Sequence, residues 1–147
     1  MKNKVILLVD DNKNDVFLTL RALKKSKIAN DVVVASDGVE ALDYLLGRGK
    51  YGGRDLSQMP VVTFLDLKMP RMDGLETLKF IRTNELTKFL PVVVLTASKE
   101  EADIIESYKL GCNAYVRKPV DFEQFAEAAK QLGLFWLVLN EPPVTQG

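Results

Sequence analysis

The sequence predicts an α/β fold in which helices cover both faces of one parallel sheet. Five short apolar segments alternate along the chain with five amphipathic helical patterns. Such alternation is typical of parallel strands joined by right-handed crossovers. The apolar segments are nearly continuous rather than alternating, as expected of strands that are buried on both faces. These two observations fix the class before any functional residue is considered.

The strands are predicted where apolar runs end at a polar residue or a breaker. Their ranges are 5–9, 32–35, 61–65, 92–95 and 114–116. The first run stops at Asp10-Asp11, and the third stops at Asp66, shortly before Pro70 and Gly74. The expected strand order is 2-1-3-4-5, the flavodoxin-like doubly wound arrangement, whose crevice lies between strands 1 and 3.

The helices are predicted from apolar residues that recur on one face. In the first helix these residues are Val16, Leu20 and Leu23, and Asn12 or Asn14 can cap its start. The other four patterns span residues 39–46, 75–89, 99–110 and 121–132. Gly47 and Gly111 follow the second and fourth helices, where glycine suits a C-cap.

Residues 47–60 form a Gly-rich polar segment that is longer than most connections between a helix and a strand. Because this segment precedes a strand, we expect it at the N-terminal ends of the strands, away from Asp66. Its glycines lack the spacing of a phosphate-binding loop. A neutral surface loop is the favoured interpretation, and a partner contact through Tyr51 or Arg54 is the alternative.

Composition narrows the classes of function. The chain has 147 residues, enough for one domain, and its 20 Lys plus Arg equal its 20 Asp plus Glu. This balance provides no excess of positive charge for nucleic acid. The single cysteine, Cys112, suits a reducing compartment. The longest apolar run, residues 134–139, is too short to span a membrane, and no signal peptide is evident. We therefore expect a cytoplasmic protein.

Side chains capable of chemistry lie at the C-terminal ends of four predicted strands, the edge where open α/β sheets bind ligands. They are Asp10, Asp11, Asp66, Thr96 and Lys118. Three carboxylates at close range repel one another, and the repulsion either raises a pKa or recruits a cation. Since the chain has no histidine and only one cysteine, a hard ion such as Mg²⁺ fits better than a soft metal.

Asp66 has the surroundings of a nucleophile in this prediction. An aspartate beside a metal and a lysine can attack phosphorus and form an acyl phosphate. The metal and Lys118 would share the charge on the phosphoryl oxygens, and the Thr96 hydroxyl would supply a hydrogen bond. Each residue alone also has an ordinary capping or solvated role, so the hypothesis depends on their joint placement.

Four motifs carry a resemblance to a known family. They are VDDN at Asp10 and Asp11, LDLKMPRMDG around Asp66, VVVLTAS at Thr96, and NAYVRKP at Tyr115 and Lys118. Over residues 4–132 the chain resembles the receiver domain of two-component response regulators. The resemblance implies that Asp66 accepts a phosphoryl group from the phosphohistidine of a sensor histidine kinase. It also implies a phosphoacceptor that promotes its own Mg²⁺-dependent phosphorylation and dephosphorylation, and not an enzyme.

The resemblance implies a ligand set for Mg²⁺. Asp11, Asp66 and the backbone carbonyl of Lys68 would hold the ion, and Asp10 would bind it chiefly through water. The Lys118-Pro119 bond matches a cis peptide of the family, which proline makes accessible.

The resemblance also implies a switch. Thr96 would move toward the phosphoryl group, and Tyr115 would fill the space it leaves and report the state of Asp66 to the face formed by helix 4, strand 5 and helix 5. A half-packed tyrosine without this role is the alternative. Lys68 and Ser98 occupy the two positions that tune autodephosphorylation in the family.

The domain is predicted over residues 1–132, followed by a C-terminal apolar extension and tail, residues 133–147, with no separate output domain. The apolar run in this extension either enlarges the core or contributes to an interface. Together with the 47–60 loop, the extension makes the chain similar to single-domain response regulators of cyanobacterial phytochromes. That similarity implies a phytochrome kinase contacted near Asn14, Asp15 and Leu18. It also implies a homodimer through the helix 4, strand 5, helix 5 face, without nucleic-acid or membrane partners.

Several alternatives stay open. The chain could be a generic phosphorelay intermediate or a chemotaxis-type receiver with a different kinase. A scaffold that is never phosphorylated would lack an acid, Thr96 or Lys118. A phosphatase with an aspartate nucleophile would have a second acid where Lys68 stands, and a flavodoxin would have a hydroxyl-rich loop after strand 1.

Overall fold

The computed structural model describes residues 5–25 and 30–119. Five parallel strands form one sheet in the order β2-β1-β3-β4-β5, as the sequence predicts. The strands are β1 (Val5–Val9), β2 (Asp31–Ala35), β3 (Val62–Leu65), β4 (Val92–Thr96) and β5 (Ala114–Arg117). In the central register Val9 pairs with Leu65, so the residues that follow, Asp10 and Asp66, leave the sheet side by side.

Four α-helices occur among the described residues: α1 (Lys13–Lys25), α2 (Gly38–Leu46), α3 (Gly74–Thr83) and α4 (Glu101–Lys109). A short 3₁₀ helix, Gly49–Tyr51, follows α2. The fifth predicted helix, residues 121–132, and the extension at 133–147 lie outside the described residues. Within residues 5–25 and 30–119, no helix combines the length and apolar character that crossing a bilayer requires.

The core has two layers because side chains of a strand point alternately to the two faces of the sheet. On β1, Leu7 and Val9 belong to the layer that includes buried residues of α2 and α3. Ile6 and Leu8 belong to the opposite layer, which includes Leu23 of α1. Burial on both faces accounts for the nearly continuous apolar runs of the strands.

For the first helix, the structure decides which residue caps its start and corrects the prediction of its buried face. Asn12 caps it, since its side-chain oxygen accepts a hydrogen bond from the Asp15 amide at 3.0 Å. The prediction that Leu20 faces the core is wrong, because this side chain is 36% exposed. The buried positions of α1 are Thr19, Ala22 and Leu23, so the inward face is shifted by one residue and carries smaller side chains.

The third helix is shorter than predicted. It ends at Thr83 rather than near Phe89, because Asn84 adopts an extended conformation and its side chain accepts a hydrogen bond from the Leu86 amide at 2.9 Å. Asparagine favours such turns by competing for backbone donors. Phe89 lies beyond the helix and is 87% exposed.

Arg54 and Tyr51 attach the 47–60 loop to α2. These are the two residues for which the sequence leaves a contact with a partner as the alternative. The Arg54 guanidinium donates to the Tyr44 carbonyl at 2.6 Å and to the Gln58 carbonyl at 2.9 Å. It also lies 4.2 Å from the centre of the Tyr44 ring. The Tyr51 hydroxyl donates to Glu40 at 3.0 Å. Gly47 caps α2 in the left-handed conformation, as predicted.

Candidate functional site

The ends of β1 and β3 bring three carboxylates together. The Asp10 amide donates to the carbonyl of Ala35 at 2.9 Å, and the Asp66 amide donates to the carbonyl of Val9 at 3.0 Å. These bonds hold both acids at the sheet edge. Asp10 and Asp66 are buried and Asp11 is exposed, and one oxygen of each lies within 4.8 Å of the others. The proximity predicted from the strand ends is therefore present.

Lys118 enters this group from the end of β5. Its ammonium nitrogen lies 2.6 Å from Asp10, 2.9 Å from Asp66 and 3.0 Å from Asp15. The Lys118 amide donates to the carbonyl of Thr96 at 2.9 Å, which fixes the end of β5 against β4. The Lys118-Pro119 peptide bond is cis, as the resemblance implies.

Asp15 is the acidic partner that the sequence did not identify as a site residue. It lies in the first turn of α1, which begins at Lys13 shortly after the end of β1. Because it comes from a helix and not from a strand end, the pattern of polar strand ends that predicts the site does not include it.

The electrostatics of the site follow from an excess of carboxylates. Burial raises the pKa of the Asp10 carboxyl above its ordinary value, although hydrogen bonds from Lys118 and the Asn12 amide act against this. Burial would lower the pKa of Lys118, but the hydrogen bonds to Asp10, Asp66 and Asp15 outweigh it and raise that pKa. Lys118 therefore stays protonated and neutralises only part of the charge.

The residues present fit a divalent metal ion. Three carboxylates, those of Asp10, Asp15 and Asp66, bind one ammonium group, and Asp11 lies close to Asp10 and Asp66, so negative charge is left for a cation. All the donors are hard oxygens, the ligands that Mg²⁺ and Mn²⁺ prefer. Lys68 lies beside the group, since its amide approaches the second oxygen of Asp66 at 3.4 Å.

Thr96 and Tyr115, the two residues predicted to act as a switch, both contact Ser98 in the loop after β4. The Ser98 amide donates to the Thr96 hydroxyl at 3.4 Å, and the Ser98 carbonyl accepts from the Tyr115 hydroxyl at 3.0 Å. The Ser98 hydroxyl donates to Asp103 of α4 at 2.6 Å. Lys68 also reaches Asp103, at 3.7 Å. Asp103 was missed because it comes from a helix and not from a strand end.

Gly74 shapes the loop after Asp66. A Cβ atom at this position would overlap the Asp66 carbonyl oxygen and the Leu67 backbone. The Gly74 amide donates to the Leu67 carbonyl at 2.9 Å. Glycine is therefore required here, because only a residue without a Cβ atom allows the two backbone segments to approach this closely. In the same loop the guanidinium of Arg71 binds the two oxygens of Asp37 at 2.7 and 3.0 Å.

An open pocket of about 850 Å³ lies in front of these groups. Its walls include side chains from four loops at one edge of the sheet. Among them are Asp11, Asp15, Asp66, Thr96 and Lys118. Among these groups a small anion entering the pocket would meet the Asp66 carboxylate, the Lys118 ammonium group and the Thr96 hydroxyl.

Comparisons with known proteins agree with this arrangement. A family model for the response regulator receiver domain matches residues 6–130. Response regulator Rcp1 of Synechocystis sp. is 39% identical over 134 residues, which are 91% of this chain and 89% of Rcp1. The Mn²⁺-bound crystal structure of Rcp1 matches with a TM-score of 0.74 and 37% identity, covering 96% of this chain and 99% of that one.

Two further solved structures are similar. The bacteriophytochrome response regulator AtBRR is 51% identical, with a TM-score of 0.85, over 96% of this chain and 100% of its own. The phosphorylated cyanobacterial phytochrome response regulator RcpA is 39% identical, with a TM-score of 0.76, over 92% of this chain and 95% of its own. The chain therefore belongs to the response regulator receiver domain family, whose members are phosphoacceptors of two-component signalling and not classical enzymes.

Proposed function

We propose that the protein is a response regulator that is phosphorylated on Asp66. The observation that carries the proposal is the position of the Asp66 carboxylate, 2.9 Å from the Lys118 ammonium and within 4.8 Å of the oxygens of Asp10 and Asp11. A carboxylate placed beside a cation and a metal-binding acid pair is suited to phosphoryl transfer, which needs positioning and charge neutralisation more than other protein chemistry.

The donor in this proposal is the phosphohistidine of a sensor histidine kinase. An oxygen of Asp66 attacks the phosphorus and forms an acyl phosphate, while the bond from phosphorus to the histidine nitrogen breaks. The electron pair of that bond stays on the histidine nitrogen. Lys118 neutralises charge on the phosphoryl oxygens, and the Thr96 hydroxyl donates a hydrogen bond to one of them.

Mg²⁺ is the proposed cofactor. Asp11, Asp66 and the carbonyl of Lys68 would hold the ion, with Asp10 bound through water. When bound, Mg²⁺ supplies positive charge to the phosphoryl oxygens and so favours both phosphorylation and dephosphorylation. The hard oxygen donors and the Mn²⁺-bound form of Rcp1 support a divalent ion at this place.

The proposed readout is a switch through Thr96 and Tyr115. Thr96 moves toward the phosphoryl group, and Tyr115 follows because both contact Ser98. Lys68 and Ser98 set the lifetime of the phosphorylated state. In this proposal the receiver comprises residues 1–132, and the apolar segment at 133–147 is an extension to it.

A phytochrome kinase is the proposed partner, because the chain is similar to RcpA, Rcp1 and AtBRR, and the names of RcpA and AtBRR refer to phytochromes. The kinase contacts α1 near Asn14, Asp15 and Leu18, and the protein dimerises through α4, β5 and the predicted fifth helix. We propose a cytoplasmic location, without nucleic-acid or membrane partners, on the charge balance and the single cysteine.

The test uses purified full-length protein with acetyl phosphate and Mg²⁺. We expect one acid-labile phosphoryl adduct by intact mass in the wild type and none in Asp66→Asn, because the variant lacks the nucleophilic oxygen. Light scattering on the same samples measures the oligomeric state. Absence of the adduct, under conditions that label a control receiver, would contradict phosphorylation, and a monomer at every concentration would contradict the dimer.

A further inference from the structure

Lys118 has no hydrogen-bond donor left for a phosphoryl oxygen. A lysine ammonium carries three N–H donors and no acceptor. In this structure three carboxylates receive them, Asp10 at 2.6 Å, Asp66 at 2.9 Å and Asp15 at 3.0 Å. For Lys118 to bind an arriving phosphoryl group, one of these three bonds must break.

The three carboxylates differ in how easily they can be released. The Asp10 side chain is 1% exposed, and its other oxygen accepts a hydrogen bond from the Asn12 amide at 3.0 Å. Asp66 is 9% exposed and is the proposed acceptor itself. The Asp15 side chain is 33% exposed, so water can solvate its carboxylate once it leaves Lys118. Releasing a buried carboxylate would instead leave an unpaired charge in a dry site.

We propose that Asp15 is a displaceable partner of Lys118, which occupies the ammonium in the resting state and yields its place to a phosphoryl oxygen. This inference rests on the proposed function. Asp15 is a positioning residue, since it acts through Lys118 and does not touch the reacting atoms. Asp15 also lines the pocket, and its negative charge repels an entering anion. Both effects weaken the binding of a phosphoryl group.

The proposal predicts that removing the Asp15 charge strengthens binding of a phosphoryl mimic. The probe is trifluoroberyllate at saturating Mg²⁺, with affinity measured by titration calorimetry. We expect Asp15→Asn to bind it about fivefold more tightly than the wild type, a change in keeping with loss of a partly exposed ion pair. We expect Asp15→Glu, which keeps a carboxylate, to stay within about twofold of the wild type.

Glu100 provides a matched control for charge. It is an exposed acid of the same pocket wall, and its carboxylate makes no cap hydrogen bond to α4. Glu100→Gln removes one negative charge without touching Lys118, so we expect less than about a twofold change. The Mg²⁺ affinity and thermal unfolding of every variant are measured separately, and Asp15→Ser replaces Asp15→Asn if the latter does not fold.

The outcomes separate this inference from the proposed function. If Asp15→Asn gains no more affinity than Glu100→Gln, or if Asp15→Glu gains as much as Asp15→Asn, displacement of Asp15 is wrong while phosphorylation of Asp66 stands. If the wild type itself does not bind trifluoroberyllate, the proposed function fails. A gain shown by Asp15→Asn, or by Asp15→Ser in its place, and by neither Asp15→Glu nor Glu100→Gln supports the inference. A rise in Mg²⁺ affinity by the same factor would contradict it, because the gain would then come from the metal.

Discussion

The carboxylate of Glu40, in α2, binds residues that lie before and after this helix in the chain. It accepts hydrogen bonds from the amide and the hydroxyl of Ser36, each at 2.9 Å, and from the Tyr51 hydroxyl at 3.0 Å. The Lys50 ammonium lies 2.9 Å away. Burial opposes ionisation, but these hydrogen bonds outweigh it and lower the pKa of Glu40 to about 2. Glu40 thus joins the end of β2 to the segment after α2.

The lowered pKa gives a prediction for acid stability. Because the folded-state pKa lies below the ordinary value of 4.5, the ionised carboxylate stabilises the fold above pH 4.5 and loses this effect as the pH falls toward 2. We expect Glu40→Gln to lower the free energy of unfolding by about 1–2 kcal/mol at neutral pH. Urea unfolding of both proteins, measured across this pH range, should show the difference shrinking in acid. A difference that is constant with pH would contradict the assignment.

At the scale of single residues, the site could be predicted where it depends on strand ends. Asp10, Asp66 and Lys118 follow apolar runs, and parallel pairing brings the ends of such runs to one edge. Asp15 and Asp103 could not be found in this way. They belong to helices, and their contribution depends on the rotation of each helix and on side-chain reach, which a sequence pattern does not specify.

At the scale of the elements, the 47–60 loop is attached to α2 through the side chain of Arg54. Its Arg54 binds carbonyl oxygens in the last turn of α2, those of Tyr44 at 2.6 Å and Leu45 at 3.3 Å. The last carbonyls of a helix have no partner within the helix, so Arg54 completes its C-terminal end. Arginine suits this position because its planar group can donate several hydrogen bonds while it stacks on an aromatic ring.

Arg54→Ala should destabilise the fold through this element. We expect a loss of about 2–4 kcal/mol, because several carbonyls lose a charged donor and the Tyr44 ring loses its cover. Arg48→Ala is the control, since Arg48 makes only an ion pair with Asp43 at 3.5 Å and its side chain is 55% exposed. That variant should change the free energy by less than about 0.5 kcal/mol. Equal losses in chemical denaturation would show that the carbonyl contacts have no special role.

Sequence patterns predict which elements form, but they do not predict the end of α3 or the buried face of α1. The strand order and the four described helices follow from alternation and apolar spacing. The end of α3 does not, because no glycine or proline separates Thr83 from Leu90. The helix stops where the Asn84 side chain competes for backbone donors, and this competition depends on the tertiary positions of its neighbours. The exposed position of Leu20 has a similar origin, since packing against the sheet selects the buried face of α1.

For the whole molecule, the excess of carboxylates at one edge couples metal binding to folding. An ion bound by the folded state and not by the unfolded chain raises the free energy of unfolding, by about 2.7 kcal/mol when it is present at 100 times its dissociation constant. We therefore expect Mg²⁺ to raise the melting temperature of the wild type. Asp11→Asn should reduce this increase, because it removes one of the proposed ligands from the acid group.

Matched ionic strength is the control for this measurement. Sodium chloride screens exposed charges but does not bind at an acid group as a divalent ion does. If it raises the melting temperature as much as Mg²⁺ at equal ionic strength, or if Asp11→Asn responds to Mg²⁺ as fully as the wild type, the acid group is not a metal site.

Ser98 connects the pocket to two different elements, β5 and α4. Through its amide Ser98 contacts Thr96, through its carbonyl it contacts Tyr115 of β5, and through its hydroxyl it contacts Asp103 of α4. In the proposed switch, a displacement of Thr96 would therefore reach a strand and a helix together. Two partners that recognise different parts of this surface would then respond to the same event. Because Ser98 contacts Thr96 and Tyr115 through backbone atoms, Ser98→Ala would remove the contact with Asp103 and leave the contact with β5 in place.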